Sequence, residues 1–105
     1  GGWASFRWIT MTETTKEKHV LIFSAEWCSP CKQMKAKVLP DVHVKKRLSE
    51  YSSVQYLNVD DPKGRHFSML YKVDTIPTIL IVDEKGQPFK RGSFMSTPMF
   101  LEFLE

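Results

Sequence analysis

Both cysteines of the chain lie in "AEWCSPCKQM" (25–34), two residues apart and preceded by a tryptophan. A pair at this spacing suits a working dithiol, half of a metal site, or a structural remnant. Zinc takes four ligands as a rule, and the extra donors on offer are His19, His43, His66 and carboxylates. None of the histidines has close ligand spacing to the pair, and His19 should lie at the far end of the strand that leads to it. Soft Cu(I) needs only two thiolates, so a copper-handling role stays open beside redox exchange. The local pattern favours exchange. With Cys28 at a helix N-cap, unpaired N–H groups and the helix dipole would point at its sulfur and favour the attacking thiolate. Cys31, one turn along, is placed to resolve a mixed disulfide. Pro30 fits the first turn, where its missing N–H costs nothing, and Trp27 offers a flat apolar shoulder to a peptide.

The elements that would hold these residues follow from periodicity. "ASFRWIT" (4–10) suits a first strand, and "MTETTKEKH" (11–19) a short surface helix or a linking turn. "VLIFSAE" (20–26) opens with four successive apolar residues, as a strand covered on both sides requires. Cys31, Met34 and Val38 then recur at helical spacing, and Pro40 ends or kinks that helix. Asp41 caps a second segment whose apolar residues are Val44, Leu48 and Tyr51. "VQYLNV" (54–59) is a strand closed by a turn at "DDPKG" (60–64), and "RHFSMLYKV" (65–73) a short helix. A strand begins after Pro77 in "TIPTILIV" (75–82); "DEKG" (83–86) turns it into "QPFKRG", where Pro88 argues for an edge strand. "STPMFLEFLE" (96–105) closes the chain as a helix, capped by Ser96 or Thr97, with Phe100, Leu101 and Leu104 inward. Strands alternating with helices, plus one hairpin, give an α/β sandwich with a mixed sheet.

At 105 residues the expected organisation is a single domain spanning 1–105, and 42% apolar residues argue against disorder. The net charge of +3 is carried by scattered Lys and Arg, which gives no nucleic-acid stripe but a mild preference for acidic partners. No apolar run is long enough to insert in a membrane. No signal peptide is visible, yet the chain begins without Met. The expected compartment is therefore periplasmic or otherwise extracytoplasmic if a signal or membrane segment has been removed, and cytoplasmic if not.

"FSAEWCSPCKQM" (23–34), "YLNVDD" (56–61) and "YKVDTIPTILIVDEKG" (71–86) together resemble the thioredoxin family, in family order and spacing, from about Ser5 to Leu104. The resemblance implies a thioredoxin-like three-layer sandwich with helices on both faces of a mixed sheet. It makes Cys28 the exposed nucleophile and Cys31 the buried resolving thiol. It places a cis peptide bond before Pro77, which faces the sulfurs, and gives Ile76 the backbone pairing with an extended substrate. Trp27, Ile76 and Gly92 would rim a shallow groove, with Ser29 and Pro30 beside it. No prosthetic group or metal is implied, since the cysteine pair carries the electrons. The chain departs from the family at Ile22, where thioredoxins carry a buried aspartate that assists the resolving thiol, and at Tyr56, where many carry a lysine. Ser29 replaces a usual glycine, a change that tunes redox poise. "KVLPDVHVKKRL" (37–48) breaks after a different pattern, similar to thioredoxin-like domains attached to membrane electron transporters.

The function these features imply is thiol–disulfide exchange: reduction of disulfides in partner proteins by a monomer that an upstream thiol reductase recharges, with the reverse, oxidising direction open to the same site. A non-catalytic interaction module on the same fold is the alternative that Ile22 feeds.

Overall fold

Val20, Leu21, Ile22 and Phe23 are all buried, so the strand they form is covered on both faces. The computed structural model describes residues 17–105; the expected strand at 4–10 and all but the end of the polar stretch 11–19 lie outside the described residues. Strand β1 (His19–Ser24) pairs in parallel with β2 (Ser53–Asn58) and antiparallel with β3 (Thr78–Val82). A hairpin then adds β4 (Pro88–Gly92), and the order among the described strands is β2-β1-β3-β4. Pro88 thus sits on an edge strand, where a missing donor is harmless. The hairpin turn is fixed by Asp83, whose carboxylate accepts from Lys85 N–H and Gln87 N–H at 2.9 Å each, with Gly86 at φ 82°.

Alternation along β1 divides the core into two layers. Val20 and Ile22 pack with Met34, Val38, Val44 and Phe100 on one face. Leu21 and Phe23 pack with Leu57, Leu80 and Phe67 on the other. Helices therefore cover both sides of the sheet: α1 (Ser29–Gln33), through its continuation at Met34 and Val38, α2 (Val42–Leu48) and α4 (Thr97–Phe103) lie with the first layer, α3 (Pro62–Leu70) with the second. The α/β sandwich with a mixed sheet is what the sequence predicts.

Local details differ from the sequence-based expectation in three places. The helix after the cysteines runs as α1 and then as a π-helical turn, Met34–Val38, in which Leu39 N–H donates to Met34 C=O at 2.8 Å. Cys31, Met34 and Val38 still face inward. "DDPKG" both closes β2 and opens α3: Asp61 N–H donates to Asn58 C=O at 3.0 Å in a turn, and Pro62, Lys63 and Gly64 already belong to the helix. Asp61 is extended (ψ 154°) at the N-cap and Pro62 occupies the first turn, where no N–H is needed. Gly64 is there because the helix crosses β2 closely: a Cβ would meet Asn58 O at 1.8 Å. That helix ends at Leu70, with Lys72 at φ 55°. Ser96 takes the N-cap place of α4 without a side-chain capping bond, whereas Asp41 caps α2 through His43 N–H and Val44 N–H.

Candidate active site

The parallel strands β1 and β2 end side by side, joined by a bond from Val59 N–H to Ser24 C=O at 2.9 Å. At that shared end the chain turns: Cys28 N–H donates to Ala25 C=O at 3.2 Å, which carries the backbone from strand to helix in one tight step. Cys28 occupies the N-cap of α1 with extended backbone (φ −90°, ψ 110°), and Pro30 lies in the first turn. The Cys31 N–H donates to Cys28 Sγ at 3.3 Å, so the sulfur takes the place of a capping oxygen. A negative sulfur is favoured there by the helix dipole and this donor. Cys28 and Cys31 are joined as a disulfide, with their Cα atoms 5.3 Å apart.

The site is closed from β3. The peptide bond between Ile76 and Pro77 is cis, and Ile76 O lies 3.7 Å from Cys28 Sγ. The loop before it is pinned by Thr78, whose buried hydroxyl donates to Thr75 C=O at 2.6 Å. Ala25, Val59 and Ile76 pack around the two cysteines. Trp27 is exposed and its indole N–H donates to an Asp60 carboxylate oxygen at 2.9 Å. Ser29 and Pro30 are exposed beside it. Gly92 stands opposite Ile79, so β4 ends next to the start of β3. Its α-carbon faces Met95, whose Cε would lie 2.8 Å from an added Cβ.

One expectation needs correction. Cys28 is not the exposed member of the pair: the relative exposures are 5% for Cys28 and 6% for Cys31. With the disulfide closed, each sulfur shields the other, and Ala25, Val59 and Ile76 cover both from the sides. What separates them is position: Cys28 at the cap against Ile76, Cys31 inside the helix and facing a second opening.

That opening is a groove of about 750 Å³ on the Ile22 side of Cys31. Ile22 itself is buried, paired across the sheet with Tyr56 and Ile79, and presents no acid to Cys31. Glu26 is exposed on the rim, and Tyr56 is exposed on β2. His19 bonds Ser53 Oγ at 2.7 Å at the other end of β1. Among the described residues no three His, Cys, Asp or Glu side chains gather as metal ligands. The sequence reading missed Asp60 as the partner of Trp27 and Thr78 as the pin of the proline loop. "DDP" carries the first in plain sight, but nothing in its spacing points across the chain to the indole.

Comparison with known proteins agrees with this geometry. The family model of a thioredoxin-like domain matches residues 8–105. The chain is 33% identical over 78 residues to a thioredoxin of Mycoplasma pneumoniae, covering 74% of this chain and 70% of that protein. It is 30% identical over 100 residues to the thiol:disulfide interchange protein DsbD of Photorhabdus laumondii, which spans 90% of this chain but only 17% of that protein. The fold superposes on a solution structure of a Thermus thermophilus thioredoxin with a TM-score of 0.74 at 26% identity, covering 91% of this chain and 77% of that one. Matching family, fold and a disulfide-forming cysteine pair at the strand end together place the chain in the thioredoxin-like domain family, as a thiol–disulfide oxidoreductase.

Proposed function

We propose that this oxidoreductase works as a reductant of disulfides in partner proteins, with Cys28 as nucleophile and Cys31 as resolving thiol. The observation that carries the choice of nucleophile is the bond from Cys31 N–H to Cys28 Sγ at a helix N-cap, which favours negative charge on Cys28 rather than on Cys31. The Cys28 thiolate attacks one sulfur of the partner's disulfide; the partner's other sulfur leaves as a thiolate and takes a proton. Cys31, deprotonated, attacks Cys28 Sγ and expels the second partner thiol. Two electrons pass to the partner, and the Cys28–Cys31 disulfide remains until an upstream thiol reductase returns them.

Trp27, Ser29, Pro30, Ile76, Pro77 and Gly92 form the groove that receives the partner's backbone in this scheme. Ile76 C=O, 3.7 Å from Cys28 Sγ, is near enough to guide an extended segment across the sulfur. Trp27, held by Asp60, supplies a fixed apolar wall. The single-domain, monomeric organisation belongs to the same proposal.

The test is trapping. Cys31→Ser, reduced and mixed with a disulfide-bearing protein, should accumulate a mixed disulfide on Cys28 that dithiothreitol releases, and Cys28→Ser should form none. Absence of any adduct would sink the two-cysteine mechanism. Equilibration with glutathione fixes direction: a potential near about −270 mV, as in thioredoxin, supports donation, and one near about −120 mV an oxidant instead.

A further inference from the structure

The groove beside Cys31 is distinct from the backbone-binding surface proposed for Trp27, Ile76 and Gly92. It opens on the other side of the dithiol, and its floor is apolar because Ile22, Met34, Leu39 and Tyr56 line it. Lys32, Lys35 and Lys45 stand exposed around it, and Glu26 is the one carboxylate among its lining residues. Among the described residues the only ion pair is Arg47 with Glu105, so none of these lysines is engaged by a carboxylate there. By contrast Trp27 is held by a carboxylate, that of Asp60.

We infer that this basic, apolar-floored groove is a second docking surface, which takes an acidic segment with interspersed apolar residues next to the disulfide of the partner protein. The inference rests on the dithiol mechanism above and names its substrate class. Charge complementarity selects the occupant: carboxylates meet Lys32, Lys35 and Lys45, while apolar side chains cover Ile22, Leu39 and Tyr56. Placement makes it usable. Cys31 and Pro77 line the groove at the exchange site and Pro40 and Lys45 line it away from the cysteines, so a partner joined to Cys28 can extend along it. An aspartate at position 22 would set a negative charge in that floor against the partner's acids; isoleucine removes the conflict.

The experiment uses the full reduced chain and synthetic peptides closed by one disulfide, identical except for flanks that are acidic-apolar, basic-apolar or neutral. Bis(2-hydroxyethyl) disulfide serves as the uncharged small substrate. The acidic peptide should be reduced about tenfold faster than the basic one at low ionic strength. That ratio should approach one at about 0.5 M salt, where charges are screened within a few ångströms. Lys35→Glu/Lys45→Glu should invert the order, and so should the milder Lys45→Glu in part. Equal peptide rates in the unmodified protein, an order unchanged in the variants, or one common change for every substrate would each overturn the inference. The last result would assign the lysines to thiol ionisation instead. Nuclear Overhauser contacts from residues 1–16 to Ile22 or Tyr56 in the free protein would also overturn it, giving the groove to the chain's own N-terminal segment. Failure with bis(2-hydroxyethyl) disulfide as well would overturn the dithiol mechanism itself, a result separable from loss of charge preference.

Discussion

At position 22 the side chain behind Cys31 is isoleucine, buried to 4% exposure and packed with Met34 and Val38. In the proposed scheme, resolution proceeds without a buried acid at this position to take the Cys31 proton, and the acceptors within the adjoining groove are Glu26 on its rim and solvent. Ile22→Asp is expected to speed the collapse of a Cys28 mixed disulfide, followed by stopped-flow tryptophan fluorescence. It should also lower stability by roughly 2 to 4 kcal/mol in denaturant melts, because a carboxylate would enter an apolar layer. Equal resolution rates in the two proteins would make Ile22 irrelevant to catalysis. Single residues were the most legible part of the site. The cysteines and Trp27 announce themselves by type and spacing, and Pro77 is marked by the family resemblance. Asp60 does not, since its bond to Trp27 spans 33 positions and leaves no periodic trace. Nor does sequence show that both cysteines are covered, because exposure depends on what the fold brings over them.

Elements were legible where burial imposes a period. The all-apolar Val20–Phe23 run marks a strand between two core layers, the spacing of Val44 and Leu48 marks a helix face on one of them, and β1 and α2 lie where they predict. Errors fell where proline and glycine have two meanings. "DDPKG" reads as a turn by composition, yet Pro62 opens α3 and Gly64 lets that helix touch the end of β2. Only the neighbouring strand decides between them, and it is not local in sequence. Gly64→Ala should therefore destabilise far beyond what helix propensity implies. Its Cβ would collide with backbone, Asn58 O at 1.8 Å and Asn58 C at 2.4 Å, which no rotamer can relieve. A loss of more than about 3 kcal/mol in chemical denaturation is expected. An unchanged or improved midpoint would show that α3 can slide off β2.

Across the whole molecule, one long-range contact and one local turn shape the pH response. Tyr51, beyond the end of α2, donates its hydroxyl to Leu104 C=O at 2.6 Å and so ties the C-terminal helix to the first layer. Burial raises its pKa above the ordinary tyrosine value, Arg47 opposes that and Glu50 adds to it. A raised folded-state pKa means this contribution is fully present below the unfolded value, about 10, and is lost as pH rises through the folded one. Thermal melts should show stability declining in that alkaline window, and Tyr51→Phe should flatten the decline while costing about 1 kcal/mol at neutral pH. A decline equally steep in the variant would place the titrating group elsewhere. Asp83 acts in the opposite direction. Bonds from Gln87 N–H first, and from Lys85 N–H, hold its carboxyl below the usual carboxylate value. The hairpin therefore contributes above that value and loosens as the medium turns acid. The mixed α/β arrangement was legible from element order alone; the tie of Tyr51 to Leu104, 53 positions apart, was not.

The π-helical turn between Met34 and Val38 has a consequence for chain length. Its bond from Leu39 N–H to Met34 C=O spans one residue more than an α-helical bond. Excising exposed Ala36 would let the same two groups pair in regular α geometry, with Cys31 and Met34 in register before the cut and Asp41 and Val44 in register after it. The turn thus behaves as a one-residue insertion accommodated by the backbone, and the shortened chain should still fold and close its disulfide. A crystal structure of the Ala36 deletion would read the outcome directly: continuous helix from Ser29 through Leu39, or a displaced α2 that shows the extra residue to be structurally required.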